Sequence, residues 1–132
     1  MDLPHSTWLL QWRSDRHWRA LDQAQHQDEV AGLHEPLADE WAPWTGTCPP
    51  VTGRGGDHWD GTPCWWSLVG ELPEADLPDV VLADGGHPPI LTVGRVWACE
   101  WVSPVQHATV RLGGEEFVVP FRRPDYLPVS AG

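Results

Sequence analysis

The chain has 132 residues, with 19 acidic side chains against 8 basic ones and a net charge of −11. All eight basic residues are arginines, and since a nucleic-acid backbone is bound by cationic side chains, this balance argues against a nucleic-acid ligand. The charge favours a basic protein or a neutral or cationic small molecule as partner.

Length and cysteine content set the broad class. A chain of this size can bury a core without disulfides or metals, so we expect one domain over residues 1–132. The three cysteines include no CxxC pair, which is typical of a reducing compartment. No apolar run is long enough to cross a bilayer, and no basic and apolar leader begins the chain, so we predict a cytoplasmic protein without membrane contact. The absence of Lys and Asn indicates a GC-rich bacterial genome, or a virus of such a host.

The N-terminal third predicts one strand and then helices. Residues 6–12 alternate in polarity and are expected to form a strand. The side chains that it would turn to the core are Trp8, Leu10 and Trp12. From about Asp15 the apolar spacing becomes helical, and with Ser14 or Asp15 as N-cap and Gly32 just beyond the C-cap it predicts a helix of about fifteen residues. A shorter helix is expected to begin at Pro36.

Three arginines near this helix suggest a contact with aromatic rings. Arg13, Arg16 and Arg19 lie close in sequence to Trp12 and Trp18, and a guanidinium over an indole face is attractive. We predict that such pairs hold the junction between strand and helix. A basic binding patch is the alternative, and the neighbouring acidic residues weaken it.

Further along, short strands are separated by loops. Residues 43–63 contain many glycines and prolines and form the longest irregular segment. Residues 64–72 and 80–82 read as strands. A long strand is predicted from Leu91, with a kink at Gly94 before the tryptophans that follow.

The pair Gly113-Gly114 predicts a two-residue hairpin. In that register Arg111 lies opposite Glu116, an opposite-charge pair on one face. Both flanking strands then direct their apolar residues to the other face.

A second turn at residues 103–106 would place Trp101 opposite Ala108 and extend the hairpin into a meander. The apolar face of that meander comprises Trp97, Cys99, Trp101, Ala108, Val110, Leu112, Phe117, Val119 and Phe121. The face expected in water carries Glu100, Thr109, Arg111 and Glu116. We therefore predict an α+β fold, mainly antiparallel β, with five to six strands in a small barrel or curved sheet and one N-terminal helix packed on it.

The strongest candidate site is the Asp57-His58-Trp59-Asp60 cluster in the irregular segment. As catalytic residues, Asp57 and Asp60 would orient His58, and the imidazole would act as general acid or base. Trp59 would stack on a planar or sugar-like ligand. The same residues also fit an ordinary turn, because Asp60-Gly61 is a turn-forming pair.

Further ligand-binding candidates are Trp65, Trp66 and His87. His87 follows two glycines, which allow a ligand to approach the backbone, although these residues also suit a plain loop. We predict no cofactor and assign no metal, since the spacing of the histidines and acidic residues does not support a metal site. Cys48 and Cys64 flank the irregular segment and are expected to be free thiols in a reducing compartment. A disulfide between them, which would close the segment into a ring, is the alternative.

Common nucleotide, serine-hydrolase and zinc signatures such as GxGxxG, GxSxG, HExxH and paired CxxC do not occur in the sequence. The leading hypothesis is a small acidic binding protein that uses a tryptophan-lined cleft or an acidic face. Its ligand would be a small molecule or a basic protein, the latter in the manner of an inhibitor or immunity protein. The alternatives are a compact enzyme acting on an aromatic or polycyclic metabolite through His58, and a viral or other assembly subunit.

Overall fold

The computed structural model describes residues 1–46, 62–73 and 77–121, together with the backbone of residues 52–55. These residues form ten strands, one α-helix and one 3₁₀ turn, and all strand pairs are antiparallel. The elements are β1 Leu9–Trp12, β2 His17–Leu21, α1 Gln23–Val30, the 3₁₀ turn Ala38–Glu40, β3 Ala42–Pro43, β4 Thr52–Gly55, β5 Cys64–Glu71, β6 Asp79–Leu82, β7 Leu91–Val93, β8 Val96–Ser103, β9 Ala108–Leu112 and β10 Glu115–Val119. The predicted class, α+β with mainly antiparallel β, is confirmed.

The strands form three small sheets. Their orders are β1-β2-β3, β4-β5-β8-β7 and β10-β9-β6. Within the described part of the chain no ladder joins one sheet to another, so a closed barrel of five to six strands stays a prediction. The longest ladder joins β5 to β8 over eight residue pairs, from Cys64 opposite Ser103 to Glu71 opposite Val96. The four-stranded sheet is therefore the framework of the fold.

The predicted hairpin at Gly113-Gly114 is confirmed in its register. Arg111 lies opposite Glu116, and its Nε donates a 2.7 Å hydrogen bond to a Glu116 carboxylate oxygen. Both glycines have positive φ, +61° and +79°, as a tight turn that follows the twist of the strands requires.

The predicted second hairpin is wrong in its pairing. β8 pairs with β5 and β7, whereas β9 pairs with β10 and β6, so the turn at residues 103–106 carries the chain from one sheet to another. Alternation alone cannot separate the two arrangements, because a strand that crosses to a facing sheet presents the same apolar residues inward. The buried cluster between these two sheets comprises Trp66, Leu68, Leu72, Val80, Leu82, Trp97, Cys99, Trp101, Ala108 and Val110.

The opposite face of β8 is buried as well. Val96 and Ala98 pack with Leu10 in a second cluster, against which the half-buried Trp8 and Trp12 lie. The predicted strand thus turns Trp8, Leu10 and Trp12 inward, although onto the other side of β8 from the one expected.

Glu100, predicted to face water, is only 3% exposed. Its Oε1 accepts the backbone N–H groups of His5 and Ser6 at 2.7 and 3.0 Å, and Oε2 accepts the Ser6 hydroxyl. The prediction failed because the N-terminal segment covers this face, which alternation within β8 does not reveal. Three hydrogen bonds satisfy the buried carboxylate.

The N-terminal helix is shorter than predicted. Residues 17–21 form β2, and α1 begins only after Asp22, whose carboxylate caps the helix by accepting the Gln25 N–H at 2.8 Å. The predicted role of Gly32 is confirmed, since it follows the C-cap with φ +74°. The second predicted helix, at Pro36, is a single 3₁₀ turn that begins two residues later. The helical spacing came from Trp18 and Leu21, which are three residues apart. That spacing is typical of helices, but it also occurs in a strand such as β2, which is covered on both faces.

Gly94 forms a turn rather than a kink. It lies between β7 and β8, where Val93 pairs with Val96, and its φ is +56°. A Cβ at this position would lie 2.3 Å from the indole of Trp12, so the turn also seats the N-terminal strand. No helix among residues 1–46, 62–73 and 77–121 is long and apolar enough to cross a membrane.

Candidate functional site

The predicted catalytic cluster, Asp57, His58 and Asp60, and its neighbour Trp59 lie outside the described residues, as does Cys48. Their assignment stays a prediction. Cys99 is a free thiol and is buried, whereas Cys64 is half-buried at the start of β5. Burial raises the pKa of the Cys99 thiol to about 12, so this side chain behaves as a small apolar group.

The other predicted ligand-binding residues have different surroundings. Trp65 is half-buried on β5 opposite Val102. Trp66 is fully buried in the cluster between the sheets, and its indole N–H donates to the Ser103 carbonyl at 2.8 Å. His87 is exposed, with its Nδ1 3.3 Å from a carboxylate oxygen of Asp79. Their role in ligand binding stays a prediction.

The arginines do contact tryptophans, but not the predicted ones. The guanidinium carbons of Arg13 and Arg19 lie 4.6 and 4.4 Å from the ring centroid of Trp41. Those of Arg16 and Arg95 lie 5.7 and 5.0 Å from the ring centroid of Trp44. These pairs tie β2, the loop before it and the β7–β8 turn to Trp41 and Trp44, the two residues that flank β3.

This arginine group is largely neutralised by acidic partners. Arg13 binds both carboxylate oxygens of Asp15, at 3.0 and 2.8 Å. Arg19 binds both oxygens of Glu29 and also donates to the Gln11 side-chain oxygen. A basic binding patch is therefore poorly supported, because two of the guanidinium groups are engaged by carboxylates.

The feature that the sequence did not reveal is the surface formed by α1 and the chain after it. The helix buries no apolar side chain. Val30, Leu33 and Leu37 are 76%, 79% and 61% exposed, which places three of the large exposed apolar side chains within eight consecutive residues. We call residues 30–37 the apolar segment. Exposed acidic residues flank or interrupt it, namely Asp28, Glu35 and Asp39.

Polar contacts hold this region on the protein. The Arg19–Glu29 pair joins β2 to α1, and both side chains are about nine-tenths buried. The Gln23 amide donates to the Thr7 carbonyl at 2.8 Å, which joins the first turn of α1 to the N-terminal segment. The Arg19 guanidinium holds the pKa of the Glu29 carboxyl below its usual value, chiefly by hydrogen bonding, so the pair stays ionised.

A second group of polar contacts lies at the C-terminal end of the apolar segment. His34 Nε2 lies 3.1 Å from Glu40 Oε1, and Glu40 Oε2 accepts the Leu37 N–H at 2.9 Å. Single ligand atoms of Glu29, His34 and Glu40 all lie within 4.8 Å of one another. No sequence signal predicted this group, because its spacing matches no common metal motif.

An open depression of about 610 Å³ lies at the β9–β10 turn, with Leu77 and Arg111 among its lining residues. Arg111 is engaged by Glu116 across the hairpin. The depression contains no predicted site residue.

No protein family, curated protein or solved structure matches the chain.

Proposed function

We propose that this chain is a small acidic binding protein whose apolar segment docks on a basic protein partner. The observation that carries the proposal is that α1 buries no apolar side chain while Val30, Leu33 and Leu37 remain exposed just at and beyond its end. A surface helix ordinarily turns an apolar stripe to its own core. Clustered apolar side chains left in water fit a contact surface for another protein.

Charge complementarity supports a basic partner. Asp28, Glu35 and Asp39 are exposed beside the apolar side chains, and the whole chain carries a net charge of −11. A complementary surface has an apolar depression bordered by Lys and Arg. Opposite charges at the rim accelerate association and exclude acidic competitors. An inhibitor or immunity protein that masks a basic surface in the cytoplasm is the form of this function that we favour.

The packing of the tryptophans favours a protein over a small molecule as ligand. Trp66, Trp97 and Trp101 fill the space between two sheets. Trp41 and Trp44 are covered by arginines. These five indoles are therefore engaged by the protein's own side chains. The alternative is an enzyme that uses His58, and testing it requires a substrate to be identified.

The test compares three baits by quantitative affinity capture from the native cells. They are the wild type, a variant with Val30→Ser, Leu33→Ser and Leu37→Ser, and a control with Leu77→Ser and Val118→Ser, two apolar residues that are exposed elsewhere. A protein retained by the wild type and the control but not by the triple variant is then purified. Its binding to all three chains is measured by calorimetry at several salt concentrations.

We expect one basic protein to bind the wild type and the control equally, with affinity that falls as salt rises. The triple variant should bind it at least tenfold more weakly, an effect of about 1.4 kcal/mol or more. Equal binding by the triple variant would refute the assignment. So would self-association through these side chains, detected by light scattering and abolished in the triple variant, since a second copy would then occupy the surface.

A further inference from the structure

We propose that Glu29, His34 and Glu40 bind one divalent transition-metal cation, with zinc as the reference ion. Their ligand atoms lie within 4.8 Å of one another, so a small movement brings them around a single ion. Zinc accepts imidazole nitrogen together with carboxylate oxygen. Three protein ligands and a water complete the four-coordinate shell of an open zinc site.

Glu40 is already oriented for this role. Its Oε2 is occupied by the Leu37 N–H at 2.9 Å, which leaves Oε1 facing His34 Nε2 at 3.1 Å. A ligand whose second oxygen is held by the backbone loses little freedom when it binds an ion. The side chains of His34 and Glu40 are 39% and 28% exposed, so an ion can reach them from solvent.

Glu29 keeps one ligand position despite its pairing with Arg19. The guanidinium donates one hydrogen bond to each carboxylate oxygen, and the Gln25 amide adds a third, to Oε2 at 3.3 Å. A carboxylate offers about four lone-pair positions, so Oε1 retains one of its two. Arg19 then acts as the outer partner that fixes the direction of the Glu29 carboxylate.

The nitrogen that would bind the ion is the one that contacts Glu40. His34 Nε2 lies 3.1 Å from Glu40 Oε1 in the metal-free protein. A bound ion would therefore replace this contact and lie between the two side chains.

The ligands come from the two ends of the apolar segment. Glu29 is in α1 before it, Glu40 is in the 3₁₀ turn after it, and His34 is within it. A bound ion would close residues 29–40 into a ring and limit the conformations of the exposed apolar side chains. This regulatory consequence rests on the proposed function, whereas the metal site itself does not.

The test is calorimetric titration of the full chain with zinc chloride. Magnesium chloride is the comparison, because Mg²⁺ is a hard cation that prefers oxygen ligands to the imidazole nitrogen of histidine. The variants are His34→Ala and Glu40→Gln. The matched control is His26→Ala, which removes a histidine from α1 and leaves the cluster intact. Circular dichroism verifies that each variant is folded. Cobalt absorption provides a second readout, because a tetrahedral site with a nitrogen ligand gives visible bands that water-bound cobalt lacks.

We expect one zinc per chain, no heat with magnesium, and affinity lowered at least about tenfold in both ligand variants. The cobalt bands should persist in His26→Ala and vanish in His34→Ala. The site is refuted if the wild type binds no zinc, if His34→Ala binds it as tightly as the wild type, or if His26→Ala weakens it equally. Partner binding measured in the presence of a metal chelator tests the proposed function separately. Failure of the metal site and failure of the proposed function are therefore distinguishable.

Discussion

The buried cluster between the four-stranded sheet and the β10-β9-β6 sheet contains three indoles, those of Trp66, Trp97 and Trp101. Phe121 packs edge-on against two of them, with ring centroids 5.2 Å from Trp66 and 5.6 Å from Trp101. Edge-on aromatic pairs add about 0.5–1.5 kcal/mol each to the burial of the rings. Replacement of one of these residues should therefore remove both burial and ring contacts.

Trp101→Ala should lower the free energy of unfolding by about 3–5 kcal/mol, because it opens a cavity in this cluster. Urea titration followed by circular dichroism measures the change. Val102→Ala is the control: its side chain is 56% exposed on the same strand, and its cost should stay within about 0.5 kcal/mol. Similar costs for both variants would contradict the assignment of Trp101 to the core.

Cys99 should resist alkylation in the native protein. Burial raises the pKa of its thiol to about 12, and the reactive thiolate is therefore scarce at pH 8. Treatment with iodoacetamide before unfolding and with an isotopically heavy form afterwards distinguishes the two states by mass spectrometry. We expect only the heavy label on Cys99. Rapid labelling of Cys99 by the light reagent would show that the buried cluster around this residue is accessible to solvent.

The Arg19–Glu29 pair should make stability depend on pH in the acid range. Because the folded pKa of Glu29 is lowered from 4.5, the pair stabilises the protein above that pH and loses its effect as the pH falls through the folded value. The unfolding free energy of the wild type should exceed that of Glu29→Gln near pH 7. The difference should shrink steadily below pH 4.5 in urea titrations. A difference that is constant down to pH 3 would contradict the ionised pair.

At the scale of single elements, the β7–β8 turn shows how two elements depend on one residue. Gly94 has positive φ, and the Trp12 indole of β1 lies against it. A side chain at this position would therefore disturb the turn and the packing of the N-terminal sheet together.

Gly94→Ala should destabilise the protein more than Gly113→Ala. Both glycines have positive φ, so both substitutions cost about 1–2 kcal/mol of backbone strain. An added Cβ meets nothing within 4 Å at Gly113, whereas at Gly94 it would lie 2.3 Å from Trp12, which adds about 1–3 kcal/mol of overpacking. Thermal or urea unfolding of the two variants measures the difference. Equal losses would show that Trp12 does not pack on this turn.

Elements with strong local signals were predictable from sequence, and those defined by distant contacts were not. The β9–β10 hairpin was predicted in full register because Gly113-Gly114 specifies the turn and Arg111 with Glu116 the pairing. β2 was mistaken for helix because Arg19 is buried by its pairing with Glu29 of α1, so the strand lacks the alternation of a strand with one side in water. The surface position of α1 depends on Arg19 and Glu29, ten residues apart, and no local rule predicts that pair.

At the scale of the whole molecule, β5 and β8 carry buried side chains on both faces, and these pack against β6 and β9 on one side and against the N-terminal sheet on the other. This is why Glu100 could not be placed from alternation in β8 alone. The predicted site around His58 lies outside the described residues, and the surface that we favour came from burial rather than from a motif. An acidic exterior and an exposed apolar segment are features that folding within one chain does not require, and they are the basis of the proposed binding to a partner.

The most direct measurement is site-specific photo-crosslinking in the native cells. A photoreactive phenylalanine analogue replaces Leu33 in one chain and, as a control, Val118 in another. We expect position 33 to crosslink to one basic protein, at an apolar site bordered by Lys or Arg, and position 118 not to do so. The adduct should disappear when Val30 and Leu37 are both changed to serine. Crosslinks of equal yield from position 118, or an adduct at position 33 made only of two copies of this chain, would contradict the central claim.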